Sequence, residues 1–109
     1  MANAEEVKNL FPAMVDRFLS EKAGDMSATI LFDLSGDNGG FYWIKIADGA
    51  ATTGAGELSD PSMTVKASAD DWFAVATGEM NAMQAFMTGK LKIHGDMGLA
   101  MKLQTIFAQ

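Results

Sequence analysis

The chain has 109 residues, of which 49% are apolar and 20% charged, a composition typical of a globular protein and not of a disordered one. We expect residues 1–109 to form a single domain. The formal net charge of −6 and the pI near 4.5 argue against a nucleic-acid partner, because backbone phosphates require a basic surface. The chain has no cysteine, which excludes disulfides and thiolate chemistry, and it is enriched in methionine, with nine residues.

The first residues lack the basic and apolar pattern of a secretory signal, and no apolar run is long enough to span a membrane. The last three residues, Phe-Ala-Gln, are not a peroxisomal address. Together these features predict a cytoplasmic protein.

The first predicted element is an amphipathic helix from about Asn3 to Lys22. Asn3 can cap this helix, and Pro12 should kink it or delay its regular part. Apolar residues recur along it with a period near 3.6 and form one stripe, which predicts a core role: Val7, Leu10, Phe11, Met14, Val15, Phe18 and Leu19.

After this helix the apolar period changes to two, which predicts β-strands. The first two strands should form a hairpin, and the third is rich in small residues and is typical of an edge strand. In the fifth strand, Leu91 and Ile93 should face inward and the polar residues outward. The predicted strands are Met26–Leu34, Phe41–Ala47, Ala50–Glu57, Ser62–Ala67 and Lys90–His94.

Three further helices are marked by residues that cap helix ends. Ser68 precedes one that ends near Gly78, Asn81 precedes Ala82–Met87, and Asp96 precedes a final helix that reaches Phe107. The order of elements predicts an α+β domain in which helices cover a mostly antiparallel sheet.

No pattern in the sequence predicts catalysis, a metal site or a cofactor. His94 is the only histidine and is typical of a surface position. Gly54-Ala55-Gly56 opens like a dinucleotide fingerprint but lacks the third glycine and the following helix. Asp70 and Asp71 lie where acidic side chains stabilise the start of a helix. We therefore predict that the chain is not an enzyme.

The densest group of aromatic and methionine residues falls on the two short helices around Gly78 and Asn81. Short helices joined by glycine can form the wall or lid of an apolar site, and a packed core explains the same spacing equally well. The final helix carries a stripe at Leu99, Leu103, Ile106 and Phe107 and a second apolar set at Met97, Ala100 and Met101. This is more apolar surface than one packing partner needs, and packing in an ordinary core is the alternative explanation.

The run from Ala85 to Met97 resembles the most recognisable segment of the sterol carrier protein family: an apolar helix end, Gly-Lys-Leu, an alternating strand and Gly-Asp. Asp60–Val65, Asp71-Trp72-Phe73 and Leu99–Leu103 extend the resemblance over almost the whole chain. It implies a five-stranded sheet covered on one face by helices, with an apolar tunnel between them. It also implies binding of fatty acids, fatty acyl-CoA or sterol-like lipids, and many family members are domains fused to enzymes.

The expected function is therefore binding and transfer of a lipid or fatty acyl ligand, without a cofactor. An accessory domain that presents substrate to a partner enzyme and a dimerisation module, which would be a homodimer, are the alternatives. The expected ligand-binding residues are Trp72, Phe73, Met80, Met83, Phe86, Met87, Leu91, Met97, Met101 and Ile106.

We also expect the segment Gly78–Gly89 to act as the gate of the tunnel, because glycines at both ends can absorb a hinge motion. Lys90, Lys92 and Lys102 could form a basic edge for transient contact with anionic membranes. The alternative role of these lysines is to keep the strand in solution.

Overall fold

A computed structural model describes residues 3–99 and residue 102. The strands among these residues form a sheet in the order β3-β2-β1-β4-β5, in which β1 and β4 are parallel and the other neighbours antiparallel. Residues 97–99 are also helical. The predicted α+β class with a five-stranded, mostly antiparallel sheet is confirmed. The elements are α1 (Ala4–Asp16), α2 (Ser20–Ala23), β1 (Ala28–Ser35), β2 (Gly40–Ala47), β3 (Ala50–Ala55), β4 (Met63–Ser68), α3 (Ala69–Ala76), α4 (Ala82–Met87) and β5 (Leu91–Gly95).

One face of the sheet is packed against helices and forms the core; we call it the covered face. Ile30 and Phe32 of β1 point to this face, with 0% and 1% of their surface exposed. Paired residues on neighbouring strands share a face, so Ile44 and Tyr42 of β2 and Val65 of β4 lie beside them. The alternation that predicted the first strand is therefore confirmed, except that Leu31 on the opposite face is also buried.

Aromatic contacts join two helices to the covered face. Phe11 of α1 stacks on Tyr42, with ring centroids 4.5 Å apart, and lies 5.1 Å from the ring of Phe32. Trp72 of α3 approaches Phe32 from the other side, with centroids 5.0 Å apart. Tilted and offset contacts at these distances are the favoured geometries of aromatic pairs. Phe32 thus connects α1 and α3 through the central strand.

The opposite face of the sheet, which none of the described helices covers, is termed the open face. Trp43 lies there over the edge strand β3, and a Cβ built on Gly54 would be only 2.5 Å from the Trp43 ring. Gly54 therefore has a packing role within β3. His94 is exposed on β5, as predicted.

The first helix was predicted to reach Lys22, and this boundary is wrong. α1 begins at Ala4 with an Asn3 capping box and ends at Asp16, although Pro12 lies inside it. After Arg17 the chain leaves the helix axis, and Phe18 packs against the core as a half-buried residue outside α1. The apolar period continues through this break, because Phe18 packs against the core although it lies outside the helix.

Most strand boundaries differ by one or two residues from the predicted ones, and only the end of β2 and the start of β3 agree. β1 begins at Ala28 instead of Met26, and β3 ends at Ala55 instead of Glu57. β5 begins after Lys90, because the Lys90 N–H donates to the Ala85 carbonyl at the end of α4 (2.9 Å) instead of entering the sheet. No helix among the described residues is long and apolar enough to cross a membrane.

Phe11→Ala should lower the free energy of unfolding by about 3–5 kcal/mol, because it removes a buried ring that contacts two others. Urea denaturation followed by circular dichroism measures this loss. Met87→Ala is the matched control, since Met87 is 78% exposed and its truncation should change stability by less than about 0.5 kcal/mol. Equal losses in the two variants would contradict the assignment of Phe11 to the core.

Candidate functional site

The helix α3 forms the inner wall of the candidate site. Ser68 caps it by accepting a hydrogen bond from the Asp71 N–H (3.0 Å), and its inward face buries Ala69, Trp72 and Val75. Phe73 is half-buried beside the core. The predicted helix start at Ser68 is therefore confirmed, with Asp71 in the first turn, where a carboxylate is favourable.

The helix α4 is held mainly by local contacts. The Asn81 side chain accepts from the Gln84 N–H (3.1 Å), and Ala85 is the buried residue of the helix. At its end, the Gly89 N–H donates to the Phe86 carbonyl (3.2 Å), and the Lys90 N–H donates to the Ala85 carbonyl. This is a Schellman motif, which requires the left-handed conformation that Gly89 adopts at φ +81°. The predicted bounds of α4 are confirmed.

The outward side of α4 is apolar. Met83, Phe86 and Met87 are 59%, 40% and 78% exposed, at i, i+3 and i+4 positions of one helix face. With Met97, 48% exposed, they are the exposed large apolar side chains of the described residues. A patch of this kind marks a place where a protein meets a ligand, a membrane or a partner.

Beside β5 the covered face contains apolar residues that are not fully buried. Ile93 of β5 faces the helices and is only half-buried, whereas Leu91 of the same strand is buried. Phe73 and Met80, on and after α3, are likewise half-buried against the core. The incompletely buried apolar side chains between α3, α4 and β5 are therefore the best-placed residues to contact an apolar ligand.

The structure brings together part of the predicted ligand-binding set. Trp72 and Leu91 lie in the core, Phe73 and Met80 beside it, and Met83, Phe86 and Met87 on the outside of α4. Met97 follows the end of β5 that is distant from α4, so it is separated from the α4 residues by that strand. Met101 and Ile106 lie outside the described residues. The set omitted Ile93, although its predicted inward orientation on the fifth strand could have included it.

The site offers little besides apolar surface. No polar or charged residue is buried among the residues whose side chains the structure describes. In the same part of the chain, no group of three or more His, Asp or Glu side chains is placed to hold a metal ion. The exception is Nε1 of Trp72, which is buried and has no hydrogen-bond partner. The described site can therefore bury hydrocarbon and donate one hydrogen bond.

A model of the SCP-2 sterol transfer family matches residues 8–108 of the chain. The chain belongs to this family. The resemblance seen in the sequence is thereby confirmed, and the five-stranded sheet with helices agrees with the sterol carrier fold.

The chain is similar to two solved sterol carrier structures and to one longer relative. The sterol carrier protein domain 2 of Helicoverpa armigera is 29% identical with a TM-score of 0.67, covering 93% of this chain and 81% of that one. Palmitated SCP2L2 from Aedes aegypti is 17% identical with a TM-score of 0.76, covering 99% of this chain and 97% of that one. At that identity the likeness shows the fold alone.

Hydroxysteroid dehydrogenase-like protein 2 from Homo sapiens is 34% identical over 104 residues, which are 94% of this chain and 25% of that protein. The chain therefore spans about a quarter of the length of this curated relative. In that protein, the segment similar to this SCP-2 domain is part of a much longer chain.

Asn81→Ala should speed amide hydrogen exchange within α4 by about fivefold, because it removes the cap that satisfies the Gln84 N–H and such caps contribute about 1 kcal/mol. Hydrogen exchange followed by mass spectrometry resolves the segment 82–87. Gln84→Ala keeps that backbone N–H and serves as the control, with unchanged or slower exchange. Unchanged exchange in Asn81→Ala would show that the cap does not hold α4.

Proposed function

We propose that residues 1–109 form a single lipid-binding domain that carries one long-chain lipid, such as a fatty acid, fatty acyl-CoA or sterol-like molecule, and has no catalytic activity of its own. The observation that carries the proposal is the outward apolar face of α4, in a chain of the SCP-2 sterol transfer family. The palmitate carried by the Aedes aegypti protein of the same fold supports a fatty acyl ligand. A cytoplasmic location is part of this proposal.

Apolar burial supplies the affinity. Each CH₂ group taken out of water contributes about 0.8 kcal/mol, so a long acyl chain binds tightly without directional contacts. The half-buried residues Phe73, Met80 and Ile93 would become fully buried against such a chain. Methionine side chains adapt to irregular shapes, which suits a site that accepts several lipids. We propose that the apolar tunnel of this family lies between β5 and the helices α3 and α4.

The segment Gly78–Gly89 is the proposed gate of this tunnel. It contains α4, whose one buried residue, Ala85, provides a small contact with the core. Gly78 and Gly89 adopt φ angles of +85° and +81° at its ends, and a Cβ at either position would meet open space. Such a segment can open at low cost while α1 and α3 remain packed on the sheet.

Contact with a membrane would follow from the same helix. Met83, Phe86, Met87 and the exposed Lys90 lie close along the chain, with the lysine directly after the apolar face. Apolar side chains followed by a cation suit the boundary of an anionic bilayer, where one lysine contributes about 1 kcal/mol. Lys92 points to the open face instead, because it pairs with Lys66 there, so Lys90 is the better candidate for this contact.

A second candidate function is an accessory domain that presents lipid to an enzyme. It is favoured by the relatives, in which the similar segment makes up about a quarter of a longer protein. Native mass spectrometry of protein purified from its host separates the candidates. A co-purified lipid supports the carrier, a complex with an enzyme supports the accessory domain, and an empty homodimer supports a dimerisation module.

Phe86→Lys should weaken binding of a fluorescent fatty acid at least about tenfold, because a charge placed at the gate opposes burial of hydrocarbon. Its fold should persist, since Phe86 is 40% exposed. The wild-type chain should saturate near one site per chain. Phe41→Lys makes the same change on the open face and should bind normally. A wild-type chain that binds neither fatty acid, acyl-CoA nor sterol would exclude the carrier function.

Lys90→Gln should slow transfer of a fluorescent fatty acid to vesicles containing phosphatidylserine by about threefold to fivefold, because it removes a cation worth about 1 kcal/mol at an anionic surface. Transfer to neutral phosphatidylcholine vesicles should not change. Lys45→Gln, on β2, is the matched control and should leave both rates unchanged. Equal effects of the two variants would show that Lys90 acts only through the overall net charge of the protein.

A further inference from the structure

Nε1 of Trp72 is the one buried side-chain nitrogen or oxygen without a hydrogen-bond partner among the described residues. Trp72 lies on the inward face of α3, 8% exposed, with its ring 5.0 Å from that of Phe32. Its donor is therefore enclosed by the protein without an acceptor.

The polar side chains at the two ends of α3 are already engaged. Ser68 Oγ accepts from the Asp71 N–H (3.0 Å), and Thr77 Oγ1 donates to the Phe73 carbonyl (2.8 Å). The nearby strands β1 and β4 use their backbone groups in the sheet, where Phe32 pairs with Val65. A buried N–H without an acceptor destabilises a fold and is rare in native proteins. Phenylalanine would fill this place without the donor, so the indole points to an acceptor that arrives with a ligand.

We infer that the Trp72 indole N–H donates a hydrogen bond to an oxygen of the bound lipid, which therefore lies with its polar group inward beneath α3. This inference rests on the proposed carrier function and names the ligand class more narrowly. The oxygen belongs to an uncharged group, such as a ketone, an ester or a hydroxyl. An ionised carboxylate at this depth would need a buried cation, and none of the described basic side chains is buried.

A matched pair of probes tests the inference on the full chain: 2-tetradecanone, which carries one acceptor, and tetradecane, which carries none. The chain has two tryptophans, so a ¹⁵N–¹H spectrum contains two indole signals, and Trp43→Phe assigns them. The Trp72 indole proton should shift downfield with 2-tetradecanone and should not do so with tetradecane. The Trp43 signal, from the open face, should stay in place with both probes.

Affinity provides the second readout. Trp72→Phe keeps an aromatic ring and removes the donor. It should therefore lower the affinity for 2-tetradecanone about fivefold to tenfold, the usual contribution of one hydrogen bond. Tetradecane should bind this variant within about twofold of the wild type, and that result also shows that the site remains folded. Trp43→Phe should leave both affinities unchanged.

The outcomes separate the inference from the proposed function. If a fluorescent fatty acid saturates the wild-type chain, but the Trp72 signal does not shift downfield or Trp72→Phe weakens both probes equally, the inference is overturned and the carrier function stands. The same holds if the fatty acid binds and neither probe does. If fatty acid, acyl-CoA, sterol and both probes all fail to bind the wild-type chain, the carrier function fails, and the inference fails with it.

Discussion

The contact of Phe32 with Phe11 on one side and Trp72 on the other is the interaction on which the architecture depends. Phe32 lies on β1, the central strand of the sheet, and is 1% exposed. Its two partners belong to helices that are far apart in sequence, so one ring holds α1 and α3 on the same face of the sheet. Large rings dominate core energetics through the area they bury, and losing one would loosen both helices together.

The helices differ in how firmly they are held on the sheet. α1 and α3 bury several side chains each, whereas α4 contributes Ala85 to the core and relies on caps at Asn81 and Gly89. Segments with few buried contacts open at lower free energy than the core. The proposed lipid carrier would need both properties: a rigid wall, formed by the sheet and α3, and a weakly held cover, formed by α4.

Much of the fold could be predicted from the sequence, because hydrophobic periodicity and capping residues are local signals. The covered face of β1 and the bounds of α4 followed from them. The parallel pairing of β1 with β4 could not, since it depends on how the chain crosses the sheet. The orientation of Met83 and Met87 could not either, because α4 is apolar on most sides and its pattern selects no inward face. The unpartnered donor on Trp72 is likewise a property of its surroundings, which periodicity does not describe.

The free-energy contributions of apolar burial and of hydrogen bonding determine how selective such a site can be. In the proposed carrier, two additional CH₂ groups change the binding free energy by about 1.6 kcal/mol, while one hydrogen bond from Trp72 contributes about 1 kcal/mol. Chain length therefore weighs as much as the polar group, and ligands that differ only in that group are separated by about tenfold or less. A site with one donor and no buried charge among its described residues selects a broad class of amphiphiles instead of one molecule. This breadth follows from the composition of the interior, whichever lipid the chain carries.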